Sequence, residues 1–188
     1  MSKLVFKYGS MSAGKSLKLL SEAYDLSKTE MDIEVLLLKP DIDTRTETTI
    51  KSRLGVEAEC QLIHKDTDLY ALCMEKDFVF IDECQFLTKE QVDTLRKVSY
   101  YGVNVICFGL LTTFQRKLFE GSQRLIEVAD EVIELEGRCE RCGAKATVNM
   151  RLVNGKLVLE GEEISIGDEE YMAVCYDCFR MYEKYGRD

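Results

Sequence analysis

With 188 residues, 46% of them hydrophobic, the chain can bury a sizeable core as one main domain, or as one domain plus a small appendage. Its 34 acidic residues against 25 basic ones leave a net charge of −9, which excludes the basic footprint of a nucleic-acid binder. No apolar stretch approaches a membrane span, and the first strand starts within a few residues of Met1, leaving no room for a secretion signal; both point to the cytoplasm, where eight cysteines suggest metal ligands or buried thiols rather than disulfides.

The first predicted element is a short apolar strand, Leu4 to Tyr8, which runs directly into Gly9-Ser10-Met11-Ser12-Ala13-Gly14-Lys15-Ser16. A helix follows near residues 15 to 28, with Leu17, Leu19, Leu20, Ala23, Tyr24 and Leu26 at spacings of three and four. The octapeptide fits G-x-x-x-x-G-K-[ST], in the strand–loop–helix context that the pattern requires. Glycines let successive N–H groups curl inward toward an anion, and the helix start adds its positive dipole end. Lys15 can reach the β- and γ-phosphates of a nucleoside triphosphate, and the Ser16 hydroxyl can ligate Mg²⁺. The plainer reading, an ordinary Gly/Ser-rich turn, is disfavoured by the flanking strand and helix.

Glu34 to Lys39 is a continuous apolar run ending at Pro40, as in a buried parallel strand, so the first helix is the crossover of a βαβ unit. Residues 41 to 58 are polar and read as a long mobile loop, either plain surface or a lid. Cys60 to Ile63 predicts a short strand and Asp66 to Met74 a helix. His64, the sole histidine, reads as incidental, without a partner nearby.

Phe78-Val79-Phe80-Ile81-Asp82-Glu83 is the second chemical landmark: a strand buried on both faces that ends in two carboxylates. Ligands of open α/β sheets bind at that edge. Asp82 is therefore the candidate acid for Mg²⁺, through a bound water, and Glu83 can take a proton from an attacking hydroxyl or orient a water. A solvated acidic turn is the plainer alternative.

Thr88-Lys89-Glu90-Gln91 opens a helix as a capping box, Gly102 stops it, and Val103 to Phe108 is another buried strand. Residues 122 to 129 are helical, and Glu131 to Leu135 is a last strand. Phe86, Phe114 and Phe119 follow strand ends, on the presumed ligand edge, although core packing is the commoner role of such aromatics. Alternation of strands and helices up to about Glu136 predicts an α/β fold, a parallel sheet with helices on both faces.

The composition then shifts. Cys139-Glu140-Arg141-Cys142 and Cys175-Tyr176-Asp177-Cys178 are two C-x-x-C pairs, 32 residues apart, able to close a tetrahedral structural Zn²⁺ site. Free or redox-active thiols are the alternative. Between the pairs, Met150 to Val153, Asn154-Gly155 and Lys156 to Leu159 read as a β-hairpin with a type I′ turn. Glu160 to Val174 is too polar and glycine-interrupted for a helix and reads as a loop that can fold over a neighbouring site. Cys60, Cys73, Cys84 and Cys107 lie in apolar stretches, as buried spectators do. The chain thus divides into a nucleotide-binding domain, 1–137, and a zinc-ribbon-like β subdomain, 138–188.

These motifs together resemble the cytosolic (type II) thymidine kinases, whose P-loop core carries a zinc-bound lasso domain. The likeness covers nearly the whole chain. It rests on Gly9 to Ser16, Lys39-Pro40 with Asp43-Thr44-Arg45, Asp82 to Phe86, Gly109-Leu110 with Thr113-Phe114, Phe119 to Ser122, the first cysteine pair with Gly143 and Ala146, and Glu160-Gly161-Glu162 through Ile166-Gly167 and Tyr171 to the second pair. The resemblance implies transfer of the ATP γ-phosphoryl to the 5′-hydroxyl of thymidine or deoxyuridine. It implies Glu83 as catalytic base, Asp82 and Gln85 in the nucleotide and Mg²⁺ region, and Met11, Phe86, Leu110, Phe114, Phe119 and Tyr171 around the nucleoside. The lasso, Ile164 to Tyr171 with Ile166 and Gly167, would hold the pyrimidine through backbone groups, with Arg45 as a phosphate or sugar neighbour. A homotetramer and feedback inhibition by thymidine triphosphate are implied as well. Asp168 stands where many members have a second glycine, and Asn149 and Leu111 occupy positions that vary.

Two other readings compete: a P-loop ATPase driving assembly or motion, with Glu83 positioning water, and a zinc-ribbon nucleic-acid module, which the charge disfavours.

Overall fold

The computed structural model describes residues 2–42, 48–161 and 169–186. In chain order it forms β1 (Leu4–Gly9), α1 (Lys15–Ser27), β2 (Val35–Pro40), β3 (Thr49–Lys51), β4 (Glu57–Glu59), β5 (Gln61–Ile63), α2 (Leu69–Cys73), β6 (Phe78–Ile81), α3 (Lys89–Tyr100), β7 (Asn104–Gly109), α4 (Glu120–Val128) and β8 (Glu131–Leu135). Six of these strands make one parallel sheet, ordered β5-β2-β6-β7-β1-β8. Strands this apolar need cover on both faces. On one face α2, α3 and α4 set Leu69, Val92, Leu95, Val98 and Leu125 against Leu4, Phe6, Val79 and Val105. On the other, Leu19, Leu20 and Ala23 of α1 pack on Phe80, Ile106 and Phe108. The capping box at the start of α3 forms: the Thr88 hydroxyl accepts the Gln91 N–H, and the Gln91 side chain accepts the Thr88 N–H.

Three expectations change. First, β1 and β2 are joined by α1 but are not neighbours, since β7 and β6 lie between them; local pattern fixes connectivity, not adjacency. Second, residues 48–58 are not a loose loop. β3 and β4 pair as a hairpin around Gly55, which takes a φ of +84°, and the hairpin buries Ile50 against the α1 face of the sheet. Three-residue strands with one buried side chain leave almost no periodic signal. Third, His64 has a partner, its Nδ1 lying 2.8 Å from Asp41 Oδ2.

Beyond the sheet, β9 (Val148–Val153), β10 (Lys156–Val158) and β11 (Glu169–Val174) form a second sheet, antiparallel and ordered β10-β9-β11, followed by α5 (Tyr176–Tyr185). The hairpin turn takes positive φ at both Asn154 and Gly155, as a type I′ turn demands. The stretch expected to be loop ends in β11, and α5 starts on the second cysteine pair with Cys175 as its cap. Cys139, Val148, Met150, Leu152, Val174, Phe179 and Tyr182 make a separate core. Among the described residues no helix is long and apolar enough to cross a membrane.

Candidate active site and four-cysteine cluster

β6 is the shortest of the central strands. Its last residue, Ile81, stands level with Cys107 of β7 and Phe6 of β1, both of which continue further. Residues 82–87 follow this step at the carboxyl edge of the sheet. Ser16, in the first turn of α1, donates its hydroxyl to Asp82 Oδ2 at 2.8 Å, and the Glu83 N–H donates to Asp82 Oδ1 at 3.1 Å. Asp82 is buried, and its burial and the adjacent Glu83 carboxylate push its carboxyl up to about 6, against the opposing pull of those hydrogen bonds and of Lys15. Burial lowers the Lys15 ammonium, while the Glu83 and Asp82 carboxylates facing it act the other way. Lys15 Nζ also donates to the carbonyl of Ser10 at 2.9 Å. The P-loop lysine and hydroxyl and the two carboxylates of β6 thus share one edge.

Glu83 takes a φ of +53°, a region L-residues seldom occupy, at the start of a 3-10 turn over Cys84–Phe86. That backbone separates it from Asp82 and brings its carboxylate to Gln85, whose Nε2 donates to Glu83 Oε2 at 2.6 Å. Gln85 is itself fixed, because its Oε1 accepts the Leu110 N–H at 3.0 Å. This close approach explains Gly109: a Cβ there would fall 2.6 Å from Gln85 Oε1 and 2.7 Å from Cys84 Sγ. Phe86 meets Phe119 edge to face, with centroids 5.6 Å apart. Phe114 is buried, and the Arg151 guanidinium from β9 lies 4.8 Å over its ring.

In the second sheet, residues alternate between faces. Val148, Met150 and Leu152 enter its own core. Asn149 and Arg151 point the other way, buried against the first sheet's domain, and Asn149 Oδ1 accepts the Met11 N–H at 2.8 Å. Tyr171 pairs with Arg151 in register, across from the same face.

The thiols of Cys139, Cys142, Cys175 and Cys178 all lie within 4.8 Å of one another, with Cys142 Sγ 3.6 Å from Cys175 Sγ. Sulfurs about 2.3 Å from a tetrahedral zinc stand just under about 4 Å apart, so the cluster fits that ion. The crowding also splits their acidities. Burial opposes ionisation of Cys139, but N–H groups of Cys175, Cys142 and Arg141 aimed at its sulfur outweigh this and bring it to about 6. The hydrogen bond with Cys175, burial and the neighbouring sulfurs push Cys178 up to about 12. Several thiolates at this spacing need a cation between them.

A family model for thymidine kinase matches residues 2–179. The chain belongs to the thymidine kinase family. The thymidine kinase of Enterobacteria phage T4 is 44% identical over 184 residues, covering 93% of this chain and 94% of that one. The enzyme of that name from Legionella pneumophila (strain Lens) is 42% identical over 197 aligned positions, covering 99% and 91%. That of Encephalitozoon cuniculi is 40% identical over 188 positions, covering 94% and 86%.

Of the residues expected at a thymidine kinase site, the structure brings Lys15, Ser16, Asp82, Glu83 and Gln85 together. Leu110 and the aromatics Phe86, Phe114 and Phe119 line the adjoining edge. Gly9 ends β1 and Ser10 to Gly14 form the loop before α1, with Ser12 and Gly14 at positive φ. One detail departs from the expected amide cradle: the Met11 N–H is turned to Asn149 instead of inward. Arg45, Ile164, Ile166 and Gly167, like Asp168, lie outside the described residues. Asn149 and Arg151 had no assigned role. Their signal was present as polar residues at alternate positions of an otherwise apolar strand, Val148-Asn149-Met150-Arg151-Leu152.

Proposed function

We propose that this chain transfers the γ-phosphoryl group of ATP to the 5′-hydroxyl of thymidine, with deoxyuridine as a second acceptor. The observation that carries the reading is the meeting at one sheet edge of Ser16 with Asp82, 2.8 Å apart, and of Lys15 with the Glu83 and Asp82 carboxylates. The loop 9–16 takes the triphosphate on its amides, and Lys15 neutralises charge on the transferring group. Glu83, held by Gln85, accepts the hydroxyl proton as the oxygen attacks the γ-phosphorus, and the bond to the β,γ-bridging oxygen breaks so that ADP leaves. Most of the acceleration then comes from positioning and fixed charge. Mg²⁺ would be held by Ser16 and Asp82 and would offset charge on the phosphate oxygens. Zn²⁺ would be structural, on Cys139, Cys142, Cys175 and Cys178, since four thiolates leave no open position.

The nucleoside, in this reading, lies among Met11, Leu110, Phe86, Phe114, Phe119 and Tyr171, with the lasso Ile164 to Tyr171 over the base and Arg45 near the sugar or phosphates. The boundary between the nucleotide domain, 1–137, and the zinc subdomain, 138–188, is part of the same proposal, supported by their separate cores. So is a homotetramer. An apolar groove of about 830 Å³ runs along α1, β2 and β4, lined by Leu17, Leu20, Tyr24, Leu37, Val56 and Ala58, and such a surface suits a second copy. Thymidine triphosphate, carrying the same base, would inhibit by occupying the substrate site. A cluster of four cysteines and four buried core thiols suit the reducing cytoplasm.

The family match disfavours an ATPase that needs no acceptor. The test is a panel of nucleosides incubated with ATP and Mg²⁺, with product position identified. Phosphorylation at the 5′-oxygen of thymidine is expected. ATP consumption of the same size without any nucleoside would overturn the kinase reading.

A further inference from the structure

The hydrogen bond from Met11 to Asn149 links residues 138 apart, one in the P-loop and one on β9 of the second sheet. Its consequence follows from the planarity of a single peptide unit. The Met11 N–H and the Ser10 carbonyl belong to the same trans amide, so they point in opposite directions. On one side the N–H is held by Asn149 Oδ1 at 2.8 Å; on the other the Ser10 carbonyl accepts Lys15 Nζ at 2.9 Å. Asn149 therefore sets the face of the peptide that Lys15 uses, without touching Lys15.

Neighbouring contacts hold the same stretch from the same side. A Cβ on Gly9 would fall 2.5 Å from the Leu135 carbonyl, and one on Gly137 would fall 2.2 Å from Ser10 Oγ. Gly137 in turn accepts the Ala146 N–H, which leads into β9. Gly9, Ser10 and Met11 are thus backed by residues 135–137 and by Asn149, which is itself only 7% exposed. The Ala13 N–H also donates to the Ser10 carbonyl at 3.3 Å, within the loop itself; the Asn149 bond is the one that reaches the 10–11 peptide from the second sheet. Released from it, the peptide can turn, and the Ser10 carbonyl then leaves Lys15 Nζ.

The geometry points to Asn149 as a positioning residue for the nucleotide: through the Ser10–Met11 peptide, β9 of the second sheet presents the Ser10 carbonyl to Lys15 and so seats the lysine that meets the phosphates. This rests on the proposed phosphoryl transfer for its purpose, but its test does not require turnover. Affinity for ATP is measured without thymidine, by titration with a fluorescent ATP analogue, on the full chain and its variants. Asn149→Ala is expected to weaken ATP binding about tenfold, the scale of one buried hydrogen bond with its unsatisfied donor. Asn149→Ser, whose hydroxyl is one bond too short for Met11, should do the same while leaving a polar group at the site. Leu152→Ala is the control. It removes packing from the other face of the same strand, lowers the melting temperature, and should leave ATP affinity within about twofold. Unchanged ATP affinity in both Asn149 variants would overturn the assignment, and so would an equal loss in Leu152→Ala. Failure of the unaltered chain to phosphorylate thymidine would instead remove the proposed function, while the ATP titration would still decide the role of Asn149.

Discussion

The six-stranded parallel sheet and the three-stranded antiparallel sheet are stabilised in different ways. The parallel sheet is packed on both faces, by α2, α3 and α4 on one side and by α1 with the β3–β4 hairpin on the other. The antiparallel sheet has its own core on one face only, seven buried residues around Cys139 and Phe179, while Asn149 and Arg151 on the other face rest on the first domain. A unit with so small a core needs another source of stability, and four thiols within 4.8 Å of one another indicate where it lies. In the proposed reading chemistry and stability are therefore separated: Lys15, Asp82 and Glu83 sit on the well-packed sheet, and the four cysteines would hold the poorly packed one through a metal.

The largest effect that could break this comparison is removal of the metal. Chelation, or Cys142→Ser, should melt the second sheet and α5 while the parallel sheet keeps its structure, because ion binding supplies roughly 10 kcal/mol or more to small units held by four cysteines. Hydrogen exchange resolved by segment would show residues 139–185 losing protection and 78–108 retaining it; uniform loss would mean the two regions fold as one.

Next in size is Glu83→Gln. Turnover should fall by about 10²-fold or more, with ATP affinity within about twofold and zinc content unchanged, because the base acts only in the transition state. Near-normal turnover would take Glu83 out of its role.

Asp82→Asn sharpens the comparison from the stability side. The Asp82 carboxyl stands at about 6 in the folded chain, above its ordinary 3.8, so the folded state binds the extra proton between those values. The stability contributed by that proton is fully present below pH about 4 and lost as pH rises through about 6. Above pH of about 6 the variant should therefore be more stable than the parent by roughly 2–3 kcal/mol, with little difference at pH of about 4, although it loses turnover. Denaturant midpoints at several pH values check this, and a pH-independent difference would refute it. Turnover of the parent should decline below about pH 6, as Asp82 takes up its proton.

The smallest expected effect is local. Thr88→Ala should cost about 1 kcal/mol by removing the cap of α3, without altering kinetics or zinc content. A kinetic change would show that the helix face and the active edge are coupled.

How legible each region was in the sequence follows the same division. Loop 9–16 and strand 78–83 were readable because phosphate binding and burial each impose a local pattern, a glycine-lysine-hydroxyl order in one and an unbroken apolar run in the other. The hairpin at Asn154-Gly155 was readable because only a few residues accept positive φ twice in succession. The β3–β4 hairpin, β11 and α5 were not, since each is stabilised by what it packs against. The His64–Asp41 contact escaped for a similar reason: Asp41 lies beyond β2, and the pairing of β2 with β5 brings it to His64.

By itself, then, the sequence determined the strand–helix alternation of the parallel sheet, the phosphate loop, the acidic strand end and the four thiols, because each depends on spacing along the chain. The tertiary structure alone decided that β6 stops short of its neighbours, that Leu110 anchors Gln85 beside Gly109, and that Asn149 meets Met11. Those are contacts between segments far apart in the chain, and no local periodicity encodes them.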